Sequence, residues 1–221
     1  MEILPDKIIR SKRKTVSLTV DSSGRLIVRA PLQCSEARIL AFIEQKSDWI
    51  LKHKEKHSVP KALFPTENLN GFAFALQGKR CEIKYHLGKH TVFDEEKYIL
   101  YLPQGKGAEE VRKWLKKRAK VVFTSLAHNR AIQMRTKYKA ISVSSAKGRW
   151  GSCSSDNTLR LTFHLLYAPT VVIDYVIVHE LAHTFHKNHS KDFWKKVEQY
   201  CPDWKIKRKW LKDHGYFMQI F

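Results

Sequence analysis

Residues 176–194 read VIVHELAHTFHKNHSKDFW, with four histidines and one glutamate in a run whose first half is otherwise apolar. His179, Glu180 and His183 spell H-E-x-x-H. On a helix, four residues advance about 6 Å along the axis and about 400° around it, so the two rings leave the same side and can converge on one ion. Glu180, about 100° round from His179, stands beside the pair. From there its carboxylate can reach a water on the ion without being a ligand, which is the position of a general base. Imidazoles with one carboxylate base suit zinc best and would also accept manganese, cobalt or nickel.

A catalytic zinc commonly takes three protein ligands and keeps a fourth position open. The remaining candidates are His186 and His189. Along a straight helix His186 would stand about 10.5 Å beyond His179, too far for two bonds of about 2.1 Å to meet at one ion. The third ligand must therefore follow a bend. Asn188 can take the left-handed conformation that ends a helix, and Ser190 can cap the next one, which puts His189 at the joint. The expectation is one zinc ion (Zn2+) per chain on His179, His183 and His189, with Glu180 catalytic and His186 next to the ligands or at the helix end.

Such a set needs a rigid carrier. Residues 171–185 are long and apolar enough for a helix despite their β-branched members, and Pro169 and Thr170 can start it. Tyr175, Val176, Ile177, Val178, Leu181, Ala182 and Phe185 predict burial nearly all round, where unpaired ionisable groups are costly and metal ligation compensates them. Upstream, alternating segments at 141–145 and 158–163 flank a Ser/Gly/Asp/Asn-rich bend, the pattern of a hairpin. Gly151 in that bend permits close backbone approach, as an edge strand offers an extended peptide. Arg149 is a candidate oxyanion donor or a surface cation, and Trp150 and Cys153 can pack under the helix. Arg149, Trp150 and Gly151 thus join His186 as candidates beside the ligands or at a substrate edge. Tyr167, His164 and His214 are further oxyanion candidates that spacing does not separate.

The rest of the chain predicts a hairpin over 13–29 about DSSG and a helix from Ser35 carrying Ile39, Phe42, Ile43, Trp49 and Ile50. A connection over 58–71 leads to an antiparallel meander of three short strands over 72–102. A helix over 105–134 follows, with Val111, Trp114, Leu115, Val122 and Leu126 on one stripe and lysines largely on the other. The expected organisation is α+β, with an N-terminal β-rich and helical subdomain over 1–104 (hairpin, helix, meander) and a catalytic domain over 105–221.

Charge and cysteine usage narrow the class. The net charge is +20, and residues 105–221 hold 23 of the 41 Lys and Arg but 9 of the 21 Asp and Glu, or +14 of that total. Such a field draws nucleic acid or other polyanions without specifying any chemistry. Cys34, Cys81, Cys153 and Cys201 form no C-x-x-C pair, against a zinc ribbon or a disulfide framework. The N-terminus lacks an apolar targeting segment and no stretch approaches the roughly 18 apolar residues of a span, so a cytoplasmic protein with no membrane partner is expected.

RWGSCSS at 149–155, DYVIVHELAHTFHKNHSKDFW at 174–194 and the N-terminal LIVRAP followed by WI resemble the YgjP-like metal-dependent hydrolases, over nearly the whole chain. That family is related to the SprT-like and WLM zinc metallopeptidases. The resemblance implies a zincin-like core, an active-site helix packed on a small antiparallel sheet, with His179, His183 and His189 as ligands and Glu180 as the catalytic residue. It names no substrate. A zinc-dependent hydrolase acting on peptides or proteins is the leading expectation. A metal-dependent nucleotide or phosphoanhydride hydrolase is a second, though no Gly-rich phosphate loop supports it. The third is a nucleic-acid-binding protein with a structural metal site, using the basic face of 109–134 and the tail KIKRKWLK. Oligomeric state is not readable.

Overall fold

In LIVRAP every second residue, Leu26, Val28 and Ala30, is fully buried while Ile27, Arg29 and Pro31 between them are not, as a period of two requires of a half-buried strand. The computed structural model describes residues 3–21, 24–58, 64–65 and 68–215. It divides into two compact units, Met1–Leu63 and Phe64–Phe221.

In the first unit β1 (Lys7–Ser11), β2 (Ser17–Val20) and β3 (Leu26–Pro31) form a sheet of order β1-β3-β2. The expected hairpin is β2 with β3, antiparallel, and β1 adds a parallel neighbour to β3. Ser22 and Ser23 of its expected turn lie outside the described residues, as do 59–63 and 66–67 of the expected connection. Ser35 caps α1 (Glu36–Gln45) by accepting from the Arg38 amide. The expected single helix breaks at Lys46 and resumes as α2 (Ser47–Ser58), and Ile39, Ile43 and Ile50 pack with the buried face of β3.

The second unit starts with β4 (Ala73–Leu76), β5 (Lys79–His86), β6 (Val92–Asp94) and β7 (Ile99–Pro103), in the order β4-β5-β7-β6. This corrects the antiparallel meander: β5 and β7 are parallel, with β6 returned to the far edge of β7. Then α3 (Ala108–Met134) buries Val111, Leu115, Ala119, Phe123, Ala127 and Ala131, a stripe of strict four-residue spacing. Arg135 ends it in the left-handed conformation, φ 52°.

β8 (Ala140–Ser144), β9 (Gly151–Cys153) and β10 (Thr158–Thr162) follow, in the order β8-β10-β9. The two segments expected to pair as a hairpin, β8 and β10, are parallel, and the hairpin is β9 with β10. The sheet beside the active-site helix is therefore mixed rather than antiparallel. Alternation shows that a segment is a strand but carries no information about its partner's direction.

A 3-10 turn (Phe163–Tyr167) leads into α4 (Thr170–Ala182), which buries Tyr175, Val176, Ile177, Val178, Leu181 and Ala182 as expected but ends before Phe185, which is exposed. α5 (Lys191–Tyr200) and α6 (Trp204–Asp213) complete the unit. Leu76, Ile83, Leu100 and Leu102 of the four-stranded sheet share one core with Phe123 of α3 and Ile177 of α4. The division falls at 63/64 and not at the expected 104 because those strands have no separate core to close. Gly78 shows how tightly they join: with φ +81°, it lies where a Cβ would stand 3.0 Å from Pro169 Cα, at the start of α4. Among the described residues no helix is long and apolar enough to cross a membrane.

Candidate metal centre

His179 lies in the last turn of α4, and His183 is the residue that ends the helix, still with right-handed helical φ and ψ, so the two stay in phase. Their ring centroids are 5.2 Å apart. His189 comes from the joint before α5, with its ring 5.1 Å from that of His179 and 4.8 Å from that of His183. One ring nitrogen of each histidine lies within 4.8 Å of the others. The His179 and His189 Nε2 atoms face each other at 3.1 Å. Two ring nitrogens so placed share a proton or a cation, and zinc with bonds of about 2.1 Å in tetrahedral geometry would set them about 3.4 Å apart. The donor set fits a divalent ion of that kind.

Local structure orients the rings. His183 Nδ1 lies 3.0 Å from the His186 carbonyl, which can only accept, so Nδ1 carries the proton and Nε2 is left bare. His186 thus contributes its backbone. Burial first, then His183, His189 and Arg208, pushes His179 down to about 3, and burial lowers His183 against the pull of the His186 carbonyl. Both rings are therefore held neutral, as ligands must be. His179 Nδ1 is buried with no hydrogen-bond partner among the described residues, and packing holds its ring instead, with Phe193 at 4.9 Å and Trp194 at 5.6 Å. Trp194 also stacks on His189.

The joint departs from expectation in one respect. Asn188 is not left-handed; its side-chain oxygen accepts from the Ser190 amide at 3.3 Å instead. Ser190 caps α5 through the Phe193 amide, as its position predicts.

Glu180 is 4% exposed, and burial pushes its carboxyl up to about 8. It stands directly under Gly151 of β9: a Cβ there would lie 2.6 Å from Glu180 Oε1 and 2.9 Å from Cδ. The glycine in RWGSC is thus where the sheet edge admits the carboxylate.

Around these groups lies a cleft of about 250 Å3, also lined by Ser152, Cys153 and Lys187. A larger hollow of about 720 Å3 lies within the first unit, lined by residues such as Lys14, Cys34 and Phe42, and no histidine or carboxylate converges on it. Arg149 is exposed and Trp150 packs against the core, and neither lines the cleft. His164 and Tyr167 are buried away from it, and His214 bonds the Trp210 carbonyl at the end of α6. Lys187 went unremarked in the sequence, although it is the single cation between His183 and His189.

Residues 14–214 match a family described as YgjP-like, metallopeptidase domain. Among solved structures, the crystal structure of the metallopeptidase zymogen of Pyrococcus abyssi abylysin is similar at 21% identity, covering 41% of this chain and 92% of that one with a TM-score of 0.37. That of Methanocaldococcus jannaschii jannalysin is similar at 23% identity, with 39% and 93% covered and a TM-score of 0.35. No curated protein matches the chain.

Proposed function

The chain belongs to the YgjP-like metallopeptidase-domain family, a family of metal-dependent hydrolases, and from that premise we propose that it is a zinc peptidase in which His179, His183 and His189 hold the ion and Glu180 moves the proton. The observation that carries this is the convergence of three imidazoles beside a buried carboxylate at the open edge of a strand.

β9 is the outer strand of its sheet. Ser154 N bonds Thr158 O and Thr162 N bonds Trp150 O, so residues 150, 152 and 154 turn their backbone groups to β10. Gly151 and Cys153 turn theirs the other way, and an extended peptide can pair there. Its scissile carbonyl then lies beside Gly151, over Glu180. Zinc, when bound, supplies Lewis acidity, lowering the pKa of water and polarising a carbonyl. A dication among the histidines also favours the ionised form of Glu180 against the burial that opposes it. The Glu180 carboxylate takes the proton of the attacking water and returns it to the leaving nitrogen.

Metal content by mass spectrometry tests the ligand set. Wild type, His186→Ala and Glu180→Gln are expected to hold one zinc per chain, and His189→Ala to lose it. Wild type that is prepared without chelators and holds no stoichiometric metal overturns the proposal.

A further inference from the structure

The peptidase reading leaves one charge at the cleft without a role. Lys187 lies in the joint between His183 and His189, and its Nζ donates to Asn157 Oδ1 at 2.5 Å and to the Ser154 carbonyl at 3.0 Å, with Cys153 Sγ at 3.9 Å. All three acceptors are uncharged. Among the described residues no carboxylate pairs with Lys187, and the acid lining the cleft, Glu180, is buried under Gly151. An ammonium has three donors, and strong acceptors take two of them. Neutral groups therefore hold this cation in place at the cleft wall, its third N–H meeting only the weak thiol acceptor, and no carboxylate among the described residues lies within ion-pair distance of it.

We propose that Lys187 is a specificity determinant that selects peptides carrying an acidic side chain about two residues from the scissile bond. The inference rests on the peptidase reading above. Cys153, against which Lys187 lies, is two residues along β9 from Gly151, about 6.6 Å at strand spacing. An extended substrate whose scissile carbonyl stands by Gly151 has the same spacing and brings a side chain to the ammonium. A carboxylate there gains a charge-assisted hydrogen bond, whereas the isosteric amide gains only a neutral one.

Lys187 also ties the loop carrying His189 to the β9–β10 turn, so the experiment must separate selection from support. Matched peptides would carry Glu or Gln in turn at each position flanking the cleaved bond. The zinc-loaded enzyme and its Lys187→Gln and Lys187→Arg variants would be assayed on them, and binding of the same peptides to Glu180→Gln would be followed by fluorescence anisotropy. For wild type, kcat/KM is expected to favour Glu over Gln about fivefold at one position, the worth of one partly exposed ion pair, and the preference should shrink with added salt. Lys187→Gln brings the ratio to near one, Lys187→Arg restores most of it, and the Kd ratio on Glu180→Gln shows the same preference without turnover. A wild-type ratio near one overturns the proposal, as does a Lys187→Gln variant that slows both peptides equally, the signature of support alone. Cleavage without preference sinks only the specificity, whereas failure of the zinc-loaded enzyme to cut any peptide of a random library sinks the peptidase reading beneath it.

Discussion

At Gly151 a methyl group is what the site excludes. The Cβ of an alanine would stand 2.6 Å from Glu180 Oε1, so the carboxylate must move aside. Gly151→Ala is expected to lower kcat/KM by about a hundredfold, the cost of displacing a reacting group by about an ångström, while zinc content stays at wild-type level. Activity and metal content measured on one preparation check this. Equal loss of both would place the glycine in the fold and not in the chemistry. At this scale the pairing of His179 with His183 was legible, because helical periodicity alone aligns the two rings, whereas a straight helix would carry His186 about 10.5 Å from His179. The place of Gly151 under the cleft was not, because it depends on which strand passes over which helix.

The helix that carries the site is held from one side by α3. Arg130 Nε and Nη2 donate to Asp174 Oδ1 and Oδ2 at 2.7 and 2.5 Å, and Thr136 bonds Thr184. Both partners of the ion pair are mostly buried, so Asp174→Ala leaves a guanidinium desolvated and should cost about 2 kcal/mol in chemical denaturation. The double variant Arg130→Met with Asp174→Leu should recover at least half of that loss, because no buried charge is left unpaired. The 3-10 turn ahead of α4 carries a pH dependence. Thr162 donates its hydroxyl to the Ala146 carbonyl and so accepts from His164 Nδ1 at 2.8 Å, while His164 Nε2 has no partner among the described residues. Burial, with Lys147 next, holds His164 down at about 4 from an unfolded value of 6.5. The unfolded chain therefore binds the extra proton between those values. The stabilisation is fully present above pH 6.5 and is lost as pH falls towards 4, by up to about 3 kcal/mol. Denaturation midpoints across that range should show the slope, and His164→Gln should flatten it.

On the scale of the whole molecule, the site and its core lie within Phe64–Phe221. A fragment of 64–221 is expected to unfold cooperatively and to bind one zinc, measured by calorimetry and metal analysis. A fragment of 105–221 should do neither, since it lacks Leu76, Ile83, Leu100 and Leu102, each fully buried in the core to which α3 and α4 also contribute. Folding of the shorter fragment would restore the boundary at 104 that the order of expected elements suggests. Charge at this scale says less: a net +20 attracts polyanions broadly, whereas the cleft presents one oriented ammonium.

Sequence by itself determined what depends on neighbours along the chain: the existence of the buried helix that carries the histidines, the long helix of 108–134 with Val111 and Leu115 on its buried stripe, the Ser35 and Ser190 caps, and His179 and His183 in register on one helix face. These follow from periodicity and from side chains that bond their own backbone a few residues on. Tertiary structure decided the rest. The parallel pairing of β8 with β10, the passage of β9 over Glu180, the joining of 64–104 to the catalytic core and the anchoring of Lys187 on the 154–157 turn all require segments distant in sequence to meet. Such meetings are set by how buried faces close against one another, which no local pattern encodes.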